Sequence, residues 1–170
     1  MRKRRPVYLC DTVTLSNFAL VGRFELLVMR YGRHLLVTPE VLEEVAEGVI
    51  AGYHALHEIE TAVDEGRVGQ AGGLTSVADR KTYRELLRIL APGEASCIAH
   101  AGACGGVVIS DDRTARQCCE ALGIEVTGTI GILKACTLDQ TLSTEEADSI
   151  LHAMVDAGYY SPVRSISGLT

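Results

Sequence analysis

Short apolar runs alternate with longer amphipathic stretches along most of this chain. Val7-Tyr8-Leu9-Cys10 reads as a buried strand, apolar at successive positions and ended by the polar pair Asp11-Thr12. Runs of the same kind stand at Leu35-Leu36-Val37-Thr38, at 107–110 and, more briefly, at 124–126. Between them the apolar positions take helical spacing. Helices are predicted over 12–20 and 23–31, parted by Gly22. The next opens at Thr38-Pro39-Glu40, a hydroxyl at N-cap, proline at N1 and an acid in the first turn, and runs to about Gly52. Further helices are predicted over 53–65 and 79–90, and from Ala91-Pro92-Gly93-Glu94 to Gly105-Gly106. The last three span 112–122, 128–138 and Thr144-Glu145-Glu146 to Gly158. Residues 66–76 hold four glycines and read as a loop, with a weak strand at most. Strands alternating with helices predict an α/β fold around a parallel sheet. At 170 residues, with no repeat or low-complexity tract, the chain is expected to form one domain over 1–170, with its core at about 7–160.

Composition narrows the class. The apolar fraction of 47% and charged fraction of 22% are those of an ordinary globular protein. No apolar run approaches the roughly 20 residues that span a bilayer, so no membrane partner is expected. Arg2-Lys3-Arg4-Arg5 resembles the start of a signal peptide, but Asp11 and polar residues cut the apolar stretch behind it, which makes the cytoplasm the expected location. The six cysteines, Cys10, Cys97, Cys104, Cys118, Cys119 and Cys136, form no C-x-x-C pair and mostly sit among Ala, Val and Ile. They read as small hydrophobes in a reducing compartment. A net charge of −6 argues against broad electrostatic adhesion to nucleic acid. Basic residues nevertheless gather at 2–5, at Arg30/Arg33/His34, at Arg80/Lys81/Arg84/Arg88 and at Arg113/Arg116. With no Trp and two Phe, stacking platforms for bases look sparse.

The carboxylates carry the chemistry. Asp11 follows the first strand, Asp111 and Asp112 follow the strand at 107–110, and Glu44 and Glu94 lie on helices between them. In a parallel α/β fold ligands bind outside the carboxyl ends of the strands, so acids far apart in sequence converge there. Like charges in one place are unfavourable unless a cation neutralises them, and hard divalent ions prefer oxygen ligands. Each acid also has a plainer reading. Asp11 and one of the Asp111/Asp112 pair suit a helix N-cap, and Glu94 suits the positive end of its helix dipole. Glu94 shares its face with Cys97, Ile98 and Ala101, so its carboxylate points toward packed structure. On the helix from Pro39, Glu43 and Glu44 flank the apolar arc on opposite sides at about equal distance, and periodicity does not choose between them.

The stretches Asp11-Thr12-x-x-Leu15-x-Asn17-Phe18, Val41-x-x-Glu44-Val45, Pro92-Gly93-Glu94-Ala95 with Ala99-His100-Ala101, and Val108-Ile109-Ser110-Asp111-Asp112-Arg113-x-Ala115-Arg116 occur here in an order and spacing that resemble PIN domains. Leu122-Gly123-Ile124-x-Val126-x-Gly128-Thr129-x-Gly131-Ile132-Leu133 extends the match, which covers about residues 7–160. The likeness is to the archaeal–bacterial PIN-like branch close to the VapC toxins. It implies a three-layer α/β/α sandwich with a central parallel sheet. It implies a nuclease that hydrolyses RNA phosphodiester bonds with Mg²⁺ or Mn²⁺, leaving a 5′-phosphate and a 3′-hydroxyl. Asp11, Glu44, Glu94 and Asp112 would be the catalytic acids. Asp11, Glu94 and the Asp111/Asp112 pair would hold the metal. Thr12, Asn17, Ser110, Arg113 and Arg116 would support them or touch substrate. In VapC-like proteins the acid at the Glu94 position is usually Asp. The resemblance alone selects Glu44 over Glu43, with Gly48 leaving room beside it. Relatives also imply an RNA substrate, a homodimer and, for a toxin, a small antitoxin partner; the alternative is a catalytically silent PIN fold that binds RNA or protein. The mean hydropathy of +0.17 also suits a dimer.

Two other acidic-pocket folds fit less well. A receiver domain would carry its double acid near the first strand, whereas here it comes late. A haloacid-dehalogenase-type phosphatase needs D-x-D after the first strand, and Val13 occupies the second position.

Overall fold

A computed structural model describes residues 5–169; Arg2, Lys3 and Arg4 of the basic N-terminal group lie outside the described residues. In chain order the elements are β1 (Tyr8–Cys10), α1 (Thr12–Leu20), α2 (Glu25–Tyr31), β2 (Leu35–Val37), α3 (Pro39–Ile50), α4 (His57–Asp64) and β3 (Gly69–Gln70). Then follow α5 (Val77–Leu86), α6 (Pro92–Cys104), β4 (Val107–Ile109), α7 (Arg113–Leu122), β5 (Val126–Thr127), α8 (Thr129–Leu138) and α9 (Thr144–Asp156). The five strands form one sheet in the order β3-β2-β1-β4-β5, and every pairing is parallel. Helices flank this sheet in a PIN-like α/β/α sandwich, as the alternating pattern and the resemblance led us to expect.

A parallel sheet covered on both faces reads as continuous apolar sequence rather than as alternation. All three residues of β4 are buried, as are Leu9 and Cys10 in β1 and Leu35 and Val37 in β2. Around them pack Phe18, Leu27, Ile59, Ile98, Leu133 and Leu151, all with essentially no exposure. Ile166 is also fully buried in this cluster, and its N–H donates to Asp148 Oδ1 at 2.5 Å, so the segment after α9 is tied to that helix.

Several boundaries differ from those expected, each for a local reason. The strand expected over 124–126 begins at Val126, because the Ile124 N–H bonds back to Cys119 O at 2.8 Å and closes α7 over the left-handed Gly123. The helix expected over 79–90 starts at Val77, capped by Ser76, whose Oγ accepts from the Asp79 N–H at 3.0 Å; it ends at Leu86. The stretch expected as one helix over 53–65 divides into a 3₁₀ turn, His54–Leu56, and α4. Thr38, expected both to end β2 and to cap α3, lies outside the strand and serves as the cap, accepting from the Val41 N–H at 3.3 Å. The weak strand in the glycine-rich loop does form, as β3 on the sheet edge. Here Gly69 is required, since a Cβ would meet Leu36 Cδ2 at 2.6 Å and Arg33 O at 2.8 Å.

Candidate active site

The strand order places β1 at the topological switch. From it the chain moves outward to β2 and β3 on one side, and to β4 and β5 on the other. The crevice at the carboxyl ends of β1 and β4 is therefore where an open α/β sheet presents a ligand site. Asp11 stands there, its N–H donating to Ile109 O at 3.0 Å, level with Ser110 and the two acids that follow it.

Asp11 is 1% exposed. It caps α1, its Oδ1 accepting from the Thr14 N–H at 2.8 Å, so the plainer role expected for it is real. Only one oxygen is used, however. Oδ2 is buried without a hydrogen-bond partner. The hydroxyls of Ser110 and Thr14 lie close enough to favour the ionised form, yet neither makes a hydrogen bond of normal geometry to that oxygen. Burial dominates and lifts the carboxyl to about 6, and the charge of Asp111 raises it further against those donors.

Glu44 reaches the same crevice from α3. Its Oε2 accepts from the Thr12 hydroxyl, and its Oε1 from the Gly93 N–H at 2.8 Å. Glu43 is exposed, so the tie left by helix periodicity is broken by which side α3 turns toward α6. Gly48 is not what gives Glu44 room, contrary to expectation: its α-carbon faces Leu56, whose Cδ1 would lie 2.6 Å from a Cβ. That glycine is Gly93, where a Cβ would fall 2.4 Å from Glu44 Oε2.

Glu94 opens α6 above a fully buried face that includes Cys97, Ile98 and Ala101. Its Oε2 accepts from the Ala91 N–H at 3.3 Å, half of a capping box, since Ala91 offers no side-chain acceptor in return. Burial pushes Glu94 up to about 7, followed by the charge of Asp112 and, less strongly, of Asp11 and Glu44. The charges of three acids from three other elements thus reach Glu94.

The two adjacent aspartates divide. Asp112 caps α7, its Oδ1 accepting from the Ala115 N–H at 2.7 Å, while its own N–H donates to Ser110 Oγ at 3.2 Å. Asp111 turns the other way. Its Oδ1 accepts from the Thr129 N–H at 2.9 Å, and its Oδ2 from the Thr129 hydroxyl at 2.5 Å and from Asn17 Nδ2 at 3.5 Å. Gly128 makes this approach possible, since a Cβ there would lie 2.3 Å from Asp111 Oδ1. The phenol of Tyr159 lies beside Asp111, and burial together with that charge raises its pKa strongly. Arg116 donates to Ser110 O at 3.0 Å, and Arg113 is exposed. A cavity of about 1030 Å³ opens beside Asp111, with both arginines in its lining.

A family model described as a PIN domain matches residues 7–169. The chain belongs to the PIN-domain family. The PIN fold is generally a nuclease fold, and this places the chain among hydrolases that act on nucleic acids. No curated protein matches the chain. Among the described residues no helix is long and apolar enough to cross a membrane.

PIN domains typically use divalent metals, and the donors here suit a hard cation: carboxylate oxygens, one of them buried and unpartnered. As placed, they do not close on a single point. Among the described residues no three His, Cys, Asp or Glu side chains gather tightly enough to hold an ion. Glu44 is taken up by Thr12 and Gly93, and Asp112 by its helix. The six cysteines of the PIN domain are free thiols, as expected.

Sequence reasoning missed Gly93, Thr129, Gly128 and Tyr159. Pro92-Gly93-Glu94 carried one usable signal, a glycine in the first turn of a helix where alanine is worth about 1 kcal/mol more. Nothing in sequence marked Tyr159.

Two predictions follow from this geometry. Gly93→Ala should push Glu44 away from the α6 amide, costing a charge-assisted hydrogen bond of about 1.5–3 kcal/mol, less about 1 kcal/mol of helix propensity gained. In a urea-denaturation double-mutant cycle with Glu44→Ala the two changes should couple by about 1 kcal/mol or more; strict additivity would show that the contact is absent. The second concerns pH. Asp11 titrates in the folded protein at about 6 rather than 3.8, and Glu94 at about 7 rather than 4.5. Folding therefore takes up protons. This stability is fully present below pH 4 and is lost as pH rises through 6 to 7, with Asp11 contributing up to about 3 kcal/mol. Asp11→Asn keeps the cap and removes the charge. In chelator it should melt higher than wild type at pH 8, with a flatter profile between pH 4 and 7. A lower melting point at pH 8 would contradict the repulsion.

Proposed function

We propose that this PIN domain is a Mg²⁺- or Mn²⁺-dependent endoribonuclease that hydrolyses RNA phosphodiester bonds. The observation that carries the reading is the buried, unpartnered Oδ2 of Asp11 at the topological switch, together with Glu94, whose proton affinity is raised by burial and by the charges of Asp112, Asp11 and Glu44. Such crowding has no structural benefit, whereas a cation would relieve it. Asp11, Glu44, Glu94 and Asp112 are the acids assigned to the site. The resemblance prefers Asp112 to Asp111, and in support both oxygens of Asp111 are engaged by Thr129 and Asn17, whereas the α7 cap takes one oxygen of Asp112.

A carboxylate-bound divalent ion supplies a water of lowered pKa and stabilises the attacking and leaving oxygens of phosphodiester hydrolysis. The chain's own groups do the positioning. Thr12 and the Gly93 amide orient the Glu44 carboxylate, Ser110 steadies the turn that presents Asp112, and Asn17 and Thr129 hold Asp111 aside. The expected products are a 5′-phosphate and a 3′-hydroxyl. The likeness to VapC toxins extends the reading to a cytoplasmic toxin restrained by a small antitoxin, which a neighbouring gene would encode.

A second reading has one observation in its favour. Glu44 and Asp112 are already engaged within the protein, as a silent PIN fold kept for binding RNA or a partner would have them.

Calorimetry separates the two. Millimolar Mn²⁺ should bind and raise the melting temperature, since a ligand of the folded state alone stabilises it. Asp11→Asn, Asp112→Asn and Glu44→Gln should lose metal binding and RNA cleavage with the fold intact. Glu43→Gln should stay within about 0.5 kcal/mol of wild type in stability and keep its activity. Absence of metal binding would favour the silent fold, and loss of function in Glu43→Gln instead would overturn the assignment on α3.

The PIN domain is also proposed to pair with a second copy. Met29, Ile50 and Val77 are 68%, 86% and 71% exposed and are the apolar side chains offered to such a contact. Light scattering at micromolar concentration should give twice the 18.2 kDa chain mass; a monomer mass would exclude it.

A further inference from the structure

The cavity beside Asp111 lies between α7, the start of α8 and the segment that follows α9. Ile124, Val126 and Ile130 give it an apolar floor. Gly128 and Gly131 keep one side bare of side chains, and both positions are closed to any Cβ, at 2.3 Å from Asp111 Oδ1 and from Thr127 Oγ1 respectively. The opposite wall is the tail. Tyr159 is fixed near Asp111 and Thr129, and the buried Ile166 anchors the chain beyond. Between these anchors Tyr160 lines the cavity with its ring 93% exposed. Arg113, Arg116 and Glu120 line it as well. Arg116 is engaged with Ser110 O, whereas Arg113 is exposed in the first turn of α7.

We propose that this groove holds the unpaired RNA strand on one side of the scissile phosphate, with Tyr160 as a base-stacking platform and Arg113 as a phosphate contact. The assignment rests on the nuclease reading above. A ring so exposed leaves both of its faces open to a base, and the chain is anchored on either side of it at Tyr159 and Ile166. A base pairs its face with such a ring only when the strand is single, and stacking of this kind is tolerant of sequence. Arg113 and Arg116 line the groove together with Asp111 and Glu120, so its formal charge is balanced in a chain of net charge −6, and the phosphate contact falls to the exposed Arg113 rather than to a basic field. A peptide is the weaker occupant. The edge strand on the groove, β5, is two residues long and offers almost no ladder for strand addition.

The test is fluorescence anisotropy with a labelled single-stranded RNA decamer of mixed sequence, at low salt and in chelator so that nothing is cleaved. Tyr160→Ala should weaken binding about tenfold, and Tyr160→Phe should restore it to within twofold. Arg113→Ala should reduce the slope of log affinity against log salt by about one. A duplex of the same sequence should bind at least about tenfold more weakly. Because Tyr160 is almost fully exposed, its variants should melt with wild type. Tyr160→Ala binding as tightly as wild type, duplex binding as tightly as single strand, or no binding by wild type would each overturn the proposal. So would unchanged RNA affinity with lost self-association, which would give the groove to a protein. Failure of the nuclease reading looks different: Tyr160-dependent binding without cleavage in Mn²⁺ keeps the groove and removes the catalysis, whereas cleavage with Tyr160→Ala binding normally removes the groove alone.

Discussion

The parallel pairing of β1 with β4, Leu9 level with Val108 and Cys10 with Ile109, sets the position of everything at the candidate site. It makes Asp11 and Ser110 leave the sheet side by side, and it does so at the strand pair where the connections diverge. Both faces of these strands are covered, so a slip of one residue would send side chains to the opposite helix layer and break their packing, and the register is fixed by the core rather than by the site. From that fixed edge, α1 and α7 start at once, and their caps, Asp11 and Asp112, are two of the acids in question. Local structure and proposed chemistry thus share the same atoms. A helix needs one oxygen of its capping carboxylate. In Asp11 the second is left over, buried and unpartnered.

The remaining acids are brought in by packing. α6 lies against β1 and β4 and also against α3, which lets Glu94 and Glu44 approach from the same side. The contact between the two helices is close enough that a Cβ at position 93 would displace the Glu44 carboxylate. Its N–H then donates to Glu44, so a residue without a side chain both makes space for a carboxylate and orients it. The groove extends this logic. Gly128 admits Asp111 to the first turn of α8, Asp111 takes the Thr129 amide, and Tyr159 closes over both, which carries the tail and Tyr160 into place.

Crowded carboxylates oppose folding at neutral pH, and the core offsets them. Burial of Asp11 and Glu94 raises both above the ordinary range, so the protein holds a destabilised cluster on a rigid edge of the sheet. Sites that bind charge are commonly arranged in this way, their cost met by packing elsewhere.

Much of the fold was legible in sequence because it rests on local signals. Apolar runs marked β1, β2 and β4, hydroxyl caps and Pro39 marked α3, and glycines marked the helix ends. Boundaries slipped where tertiary hydrogen bonds compete with local preference, as at Ile124, whose amide closes a helix rather than opening a strand. The acids were legible as types and positions, since a carboxylate after a buried strand is visible in one dimension. Their division of labour was not. Glu43 and Glu44 are equivalent by periodicity, and only the packing of α3 on α6 makes one exposed and the other a partner of Thr12 and Gly93. Asp111 and Asp112 are adjacent in sequence, yet one accepts from Thr129 in the first turn of α8 and the other caps α7, a division set by where Gly128 and Thr129 arrive. Sequence determines which chemistry the chain carries. Tertiary structure decides which atoms meet, because contact between distant residues depends on register and helix rotation, and neither is written in local pattern.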